Sequence, residues 1–276
     1  MIYFQILIEL VDYLTTAAKV MSSSQKERAL VTGASSGIGL EIAKVLGSQG
    51  CDLVITARRK AELESLAKEL TERHSIDVQV VVSDLSEQVG VENLIRETGE
   101  IDILVNNAGF GFHGEHLTLN QEGQLNMIDL NIRALTHVAR HYGAAMKKKG
   151  SGRILNVASI AGYQPGPKMA VYCATKAYVL SYTRALHSEL KKSGVSVTAL
   201  CPGFVETGFQ EVAGMELGAL ELSGAVPAAK VAKTAVKAMR KGRREVIPGF
   251  LNKPIPYANR LVPISLNLAV VKRLMS

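Results

Sequence analysis

Tryptophan is missing from the sequence, and all aromatic residues together make up only 5% of its 276 residues. Cysteine is also scarce, because only Cys51, Cys173 and Cys201 occur, at wide spacings. This odd, scattered set excludes a disulfide framework or a cysteine metal knot and favours a reducing, cytoplasmic compartment. Charged residues reach 21% against 47% apolar residues. That balance predicts one main domain with a substantial core.

Long hydrophobic runs are lacking too, since no uninterrupted stretch approaches the roughly 20 residues that a membrane-spanning helix needs. The most apolar segment, residues 1–20, contains Glu9 and Asp12 and has no basic start, which argues against a signal peptide. Its polar residues recur every three or four positions, so we expect an amphipathic arm that a polar linker, ending at residue 27, joins to the domain. Residues 251–276 form a similarly amphipathic tail. Both segments predict docking on a second subunit, in a homodimer or homotetramer, with peripheral contact to a membrane as the alternative.

The net charge of +7 comes largely from short basic clusters at 58–60, 147–153 and 241–244. No aromatic residues are interleaved with them, so we expect no nucleic-acid partner. Two histidine-containing pieces, 113–116 and 137–141, lack the further carboxylate, cysteine or glutamate that a metal site would require. We therefore expect no metal.

Seven short β-rich segments alternate with longer helical patterns between residues 28 and 250. In chain order they read RALVT, DLVIT, VQVVV, IDILVNN, RILNVAS, VSVTAL and REVIP. Each is nearly continuous in valine, isoleucine and leucine, which is typical of parallel strands covered on both faces. The pattern predicts a Rossmann-type, doubly wound α/β fold, with residues 204–226 as a lid over the ligand crevice.

The first of these strands leads directly into TGASSGIG, residues 32–39, and then into a helix. Gly33 permits a tight turn, Gly37 allows close approach to a pyrophosphate, and Gly39 lets helix and strand pack closely. The oriented N–H groups of the helix start would bind the anion. This context predicts a dinucleotide site that also includes Ser35, Ser36 and Ile38.

Several further motifs follow in a fixed order: NNAG at 106–109, Asn131, Ser159, Tyr172 with Lys176 four residues later, and Pro202-Gly203 followed by Thr207. With the glycine turn, these motifs make the chain resemble the short-chain dehydrogenase/reductase family in its compact form, over about residues 29–248. The resemblance implies an oxidoreductase that reduces a ketone or aldehyde, or oxidises the matching secondary alcohol, with a nicotinamide cofactor.

Tyr172 and Lys176 lie four residues apart, so on a helix they share a face. A nearby cation favours the phenolate, and we expect Lys176, with the charge of an oxidised nicotinamide, to lower the pKa of Tyr172. The resemblance implies that Tyr172 is the general acid or base and that Lys176 also holds the nicotinamide ribose. It further implies that Ser159 polarises the substrate oxygen and that Asn131 anchors a proton-supplying water chain.

Other cofactor contacts also follow from the resemblance. Asp84 would receive the adenine amino group, although capping a helix is an alternative role. Thr207 would contact the nicotinamide carboxamide, although a local turn is its alternative role. The remaining matched positions are Leu85, Asn107, Ala108, Gly109, Pro202, Gly203 and Val205.

The end of the second strand predicts NADP(H) as the cofactor. Enzymes that select NAD place an acidic residue there, but Asp52 begins the strand and would lie at the opposite edge of the sheet. Ala57 leaves space for a 2′-phosphate, and Arg58, with Ser35 and Arg59, can bind it. The alternative is a pair of solvated arginines at the start of a helix.

The lid contains many apolar residues, and its charged residues are all acidic. They are Phe204, Phe209, Val212, Met215, Leu217, Leu220 and Leu222, with Glu206, Glu211, Glu216 and Glu221. We therefore expect an apolar, uncharged carbonyl substrate. The competing hypothesis from another functional class is a non-catalytic NADP(H)-binding sensor or scaffold protein.

Overall fold

The computed structural model describes residues 26–214 and 224–274. The predicted N-terminal arm, nearly all of the linker and lid residues 215–223 lie outside the described residues. Within the described ranges, no helix combines the length and apolarity that crossing a bilayer would require.

In this part of the chain, seven strands form one parallel sheet in the order β3-β2-β1-β4-β5-β6-β9. The strands of this sheet are β1 (Arg28–Thr32), β2 (Asp52–Ala57), β3 (Val78–Val82), β4 (Ile103–Asn106), β5 (Gly152–Val157), β6 (Val195–Leu200) and β9 (Glu245–Val246). A separate parallel pair joins β7 (Val205–Glu206) to β8 (Val226–Pro227). The predicted doubly wound sheet is confirmed, and all seven predicted segments contribute a strand to it.

Helices follow most strands and return the chain to the start of the next one. These helices are α1 (Gly37–Ser48), α2 (Lys60–His74), α3 (Gln88–Thr98), α4 (Gln121–Ile128), α5 (Leu135–Lys149), α6 (Ala170–Leu190) and α8 (Ala228–Arg240). Further helices are the short α7 (Phe209–Ala213), α9 (Ile255–Leu261) and the C-terminal α10 (Ile264–Leu274). A π-helical segment, Asp129–Ala134, joins α4 to α5, and a 3₁₀ turn, Ile160–Tyr163, follows β5.

Two apolar cores cover the two faces of the sheet. On one face, α1 and α8 pack together over the strands through side chains such as Ile42 and Val231. On the other, α3 and α5 bury side chains that include Leu94 and Val138. Because residues on both faces are buried, the strands are apolar throughout rather than alternating, as the sequence indicated.

The strand order reverses between β1 and β4, which are direct neighbours in the sheet. Chain segments leaving the carboxyl ends of these two strands turn to opposite faces and leave a crevice between them. The glycine turn after β1 and the NNAG segment after β4 therefore meet at this point.

Candidate active site

A cavity of about 950 Å³ occupies this crevice. It is lined by 19 of the 21 predicted site residues; the two exceptions are Gly39 and Asn131. The lining residues are Gly33, Ser35, Ser36, Gly37, Ile38, Arg58, Arg59, Asp84, Leu85, Asn107, Ala108, Gly109, Ser159, Tyr172, Lys176, Pro202, Gly203, Val205 and Thr207. Thus the fold brings together residues that are spread over most of the sequence.

Backbone geometry explains the glycines after β1. Gly33 has φ of +66°, and a Cβ there would lie 2.8 Å from the Asn107 side-chain nitrogen. That nitrogen in turn donates a hydrogen bond to the Thr32 carbonyl at 2.9 Å, which connects the end of β4 to the end of β1. Gly39 does not line the cavity because it packs against this turn, where a Cβ would overlap the Gly33 carbonyl oxygen. That is the packing role predicted for it.

Helix α1 begins beside the cavity. Ser36, its N-cap residue, has an extended backbone, and its side chain makes no capping hydrogen bond to the helix. Ser36 and Gly37 both line the cavity. The first N–H groups of α1 are therefore placed where an anionic group of a ligand could accept them.

Asn131 is buried within the π-helical segment, with 1% of its surface exposed. Its Nδ2 donates to the Phe110 carbonyl at 2.9 Å and to Thr175 Oγ1 at 3.1 Å, and its Oδ1 accepts the Phe110 amide at 3.2 Å. A Cβ on Gly109 would lie 2.8 Å from this Oδ1. Asn131 therefore supports the cavity wall from behind.

Lys176 is almost fully buried, and its Nζ donates to the Val157 carbonyl at 2.9 Å. The same nitrogen lies 5.7 Å from the centroid of the Tyr172 ring. Burial lowers the pKa of Lys176 to about 8. Ser159, also buried, caps the 3₁₀ turn by accepting the Ala161 amide at 3.1 Å. Tyr172, Lys176 and Ser159 thus share one side of the cavity.

The pKa of Tyr172 moves in the direction opposite to the predicted one. Burial raises it, an interaction with the Ser159 hydroxyl partly offsets that rise, and Cys173 raises it further. The Lys176 ammonium group, 5.7 Å from the ring centroid and bonded to the Val157 carbonyl, does not offset this rise. For the chain by itself, the expectation of a lowered pKa is therefore wrong, since desolvation outweighs the neighbouring cation.

Two arginines lie at the end of β2. Arg58 has a largely exposed side chain, 3.6 Å from Asp84 Oδ2. Arg59 donates to Ser35 Oγ at 3.0 Å and lies 3.6 Å from Glu62. Both arginines line the cavity, whereas Asp52 is absent from its lining.

Asp52 instead accepts the Asp77 amide at 2.9 Å, at the start of β2. It also lies 3.8 Å from Lys26. The structure therefore confirms the predicted position of Asp52 at the far edge of the sheet.

Two predicted cofactor residues also perform local structural roles. Asp84 accepts the amide and the hydroxyl of Ser86, at 2.9 and 2.7 Å. Partial burial opposes the shift, but these bonds and the nearby Arg58 lower the pKa of Asp84. Thr207 Oγ1 accepts the Phe209 amide at 3.2 Å, as a turn-forming threonine does. Both residues nevertheless line the cavity.

The sequence did not indicate that the C-terminal tail closes this cavity. The tail residues in the lining are Leu251, Asn252, Ile255, Ala258, Asn259, Val262, Asn267, Val270 and Val271. Asn259 donates to Gln164 Oε1 at 3.0 Å, and Asn267 donates to Asn259 Oδ1 at 2.6 Å. The amphipathic pattern of the tail was the available signal, but its buried side packs on its own domain.

Comparison with known proteins agrees with this architecture. The family model for short chain dehydrogenases matches residues 27–216. An uncharacterized oxidoreductase of Staphylococcus epidermidis is 36% identical over 195 residues, which cover 69% of this chain and 83% of that protein.

Solved structures are similar as well. A short-chain dehydrogenase from Sphingobium yanoikuyae in complex with NADPH has a TM-score of 0.76 and 32% identity, covering 81% of this chain and 88% of that one. A bulky-bulky ketone specific alcohol dehydrogenase from Comamonas testosteroni has a TM-score of 0.72 and 30% identity, covering 90% and 92%.

The fold and the cavity define a nucleotide-binding oxidoreductase of the Rossmann type. More specifically, the chain belongs to the short-chain dehydrogenase family, whose members use NAD(P)(H) to interconvert alcohols and carbonyl compounds. Members commonly form oligomers and act on small molecules.

Proposed function

We propose that this protein reduces an apolar, uncharged ketone or aldehyde with NADPH, and in reverse oxidises the matching secondary alcohol. One observation carries the proposal: a single cavity contains Ser159, Tyr172 and Lys176 at one side and the glycine turn with Arg58 and Arg59 at the other. A dinucleotide and a small substrate together need one large cavity that joins both groups of residues.

The residues present fit a nicotinamide dinucleotide. Gly33, Gly37 and Gly109 keep the cavity wall free of side chains, and a Cβ at any of them would contact neighbouring atoms. The start of α1 would hold the pyrophosphate. Arg58 and Arg59 would hold a 2′-phosphate, because guanidinium groups bind phosphate through paired, charge-assisted hydrogen bonds. When bound, the cofactor supplies the hydride.

The chain's own residues would supply the proton and the polarisation. The phenol of Tyr172, whose pKa burial raises, is protonated near neutral pH and would donate its proton to the oxygen of a carbonyl substrate. Ser159 would donate a hydrogen bond to the same oxygen and stabilise the negative charge that develops there. Lys176 would keep a positive charge near the Tyr172 ring and bind the nicotinamide ribose of the cofactor.

Apolar walls support an uncharged substrate. Beyond Tyr172, the cavity is lined by Met169, Phe204, Phe209, Ile255 and Val262. Phe209 packs against the Tyr172 ring, with centroids 5.4 Å apart. A bulky carbonyl compound would be desolvated at little cost here, whereas a carboxylate or phosphate would have to be buried among apolar groups. The ketone-specific relative is consistent with this class of substrate.

The compartment proposed is the reducing cytoplasm. Cys51, Cys173 and Cys201 are all free thiols, and all three are buried. Burial raises the pKa of Cys173 to about 11 and of Cys201 to about 12, so both stay protonated and unreactive. Assembly of the chain into a homodimer or homotetramer remains a prediction.

A panel of carbonyl compounds tests the proposal, with NADPH oxidation followed by absorbance. We expect uncharged apolar ketones or aldehydes to be reduced and phosphorylated or carboxylate-bearing ones to be poor substrates. Tyr172→Phe should lower kcat/KM by about 100-fold or more and leave NADPH binding intact, because only the transferable proton is lost.

The matched control is Tyr178→Phe, on the same helix, whose hydroxyl contacts Thr136 away from the cavity. It should retain activity. Substantial turnover by Tyr172→Phe would refute the assignment of the acid, and NADPH binding without turnover across the panel would support the sensor hypothesis instead.

A further inference from the structure

The outer side of the C-terminal tail is unusually apolar. Among the described residues, 14 large apolar side chains are exposed, and eight of them lie between residues 250 and 270. These eight are Phe250, Leu251, Tyr257, Leu261, Ile264, Leu266, Leu268 and Val270; Leu251 and Val270 also line the cavity, and the other six do not. Scattered apolar residues are normal on a protein surface, but a concentration of this kind marks an interaction site.

Helix α10 is the centre of this surface. Asn267 and Val271, one turn apart, are buried against the domain, with 8% and 4% exposed. On the solvent side, Ile264 is 67% and Leu266 56% exposed. A helix at a water boundary normally presents polar residues on its outer side. In this helix Val271 lines the cavity while Ile264 and Leu266 are exposed, so apolar side chains lie on both of its sides.

The charged side chains of this segment itself all have one sign. Residues 250–274 contain four basic residues and no acidic one. Lys253 lies over the Phe250 ring, 5.9 Å from its centroid, and Lys272 and Arg273 are exposed in the last turn of α10. Exposed aromatic and leucine side chains bordered by lysine and arginine are typical of segments that lie in a lipid interface.

A second copy of the chain fits this surface less well. In a symmetric dimer the same patch meets itself, so the basic residues of the two tails would approach one another. Residues 250–274 contain no aspartate or glutamate that could offset this repulsion between the two copies. An anionic lipid surface instead supplies apolar chains for the leucines and negative headgroups for the basic residues.

We propose that the outer side of residues 250–274 docks on an anionic lipid surface. This peripheral contact does not depend on the proposed reaction. If that reaction is correct, the same helices face lipid on one side and line the substrate cavity on the other, which would let an apolar substrate enter from the lipid.

The test is co-sedimentation of the full-length protein with vesicles of phosphatidylcholine alone or mixed with phosphatidylglycerol, at low and high salt. We expect binding that requires phosphatidylglycerol and weakens with salt. The double variant Leu261→Asp and Ile264→Asp should bind at least about tenfold more weakly, because it places carboxylates in the contact. Neither residue lines the cavity, so NADPH binding should be unchanged.

The matched control is Val89→Asp with Leu117→Asp, two exposed apolar residues outside the tail. It should bind vesicles as the wild type does. Unchanged binding by the tail variant, or an equal loss in the control, would overturn the proposal. The proposal would also be overturned if the wild-type protein bound neither vesicle type and instead formed a dimer that the tail variant does not form. Light scattering measures this.

Discussion

At the scale of single residues, burial controls the chemistry of the Tyr172 and Lys176 pair. Moving a group out of water disfavours its charged form, which raises the pKa of a phenol and lowers that of an ammonium group. The two residues follow this rule, with Lys176 lowered to about 8 from a usual value of 10.5. Near neutral pH the site therefore contains a neutral phenol beside a cationic lysine, which suits proton donation to a carbonyl.

Lys176 gives a prediction about pH. We expect kcat/KM for carbonyl reduction to fall as the pH rises above about 8, because Lys176 then loses the charge that supports Tyr172. A pH–rate profile checks this. The control is Lys176→Arg, whose guanidinium stays protonated, so its profile should lose the fall near pH 8. A wild-type profile that stays flat to pH 10 would contradict the assignment.

The lowered pKa of Lys176 also makes the stability of the protein depend on pH. Between about pH 8 and 10.5 the unfolded chain binds more protons at Lys176 than the folded chain does. The contribution of this residue to the free energy of unfolding therefore rises with pH across that window. Below about pH 8, Lys176 is charged in the folded protein, and the desolvation of that charge lowers the free energy of unfolding in full.

Arg58 and Ala57 give a prediction about cofactor choice. We expect the wild type to prefer NADPH over NADH in kcat/KM. The double change Ala57→Asp with Arg58→Ala should reverse that preference, because it replaces a phosphate-binding cation with a carboxylate that suits free ribose hydroxyls. Steady-state kinetics with both cofactors provide the measurement.

Arg96→Ala is a suitable control, since Arg96 contacts Asn93 on α3 and does not line the cavity. It should leave the NADPH-to-NADH ratio unchanged. A wild-type preference for NADH would show that the reading of Arg58 is wrong.

At the scale of elements, β9 is short and depends on side-chain contacts. Only Glu245 and Val246 pair with β6. The Glu245 carboxylate binds Arg184 on α6 at 2.6 Å and accepts the Tyr163 hydroxyl, which comes from the 3₁₀ turn that follows Ser159. This one residue therefore connects the sheet edge, the helix of Tyr172 and the segment that carries Ser159.

Glu245→Ala should lower the free energy of unfolding by roughly 2 kcal/mol, since it leaves a half-buried arginine and a tyrosine hydroxyl without their acceptor. Urea denaturation measures the change. Glu64→Ala, which removes an exposed partner of Lys60 on α2, should cost less than about 0.5 kcal/mol. If both variants lose the same free energy of unfolding, the Glu245 contacts stabilise the protein no more than an exposed ion pair does.

At the scale of the whole molecule, the site combines segments from nearly the full length of the chain. The turn after β1, the arginines after β2, Asn107 after β4 and Ser159 after β5 all lie at the carboxyl edge of one sheet. The tail then covers this edge from outside the region that the family model matches, which ends at residue 216. The matched region thus supplies the glycine turn, Ser159, Tyr172 and Lys176, while the tail lines the cavity from outside that region.

The sequence by itself determined the features that depend on local pattern and chain order. Continuous runs such as LVIT predicted strands buried on both faces, the position of Gly33 predicted the turn, and the count of residues in β2 placed Asp52 away from the cavity. These features were predictable because strand period, turn geometry and parallel order restrict the chain locally.

Only the tertiary structure decided the rest. The pKa of Tyr172 depends on how much water the packed fold removes from it, and no spacing along a helix contains that information. The amphipathic pattern of the tail showed that one side would be covered, but not by which surface. Folding placed Asn267 and Val271 over the cavity and left Ile264 and Leu266 facing outward, because burial depends on contacts between residues distant in the sequence.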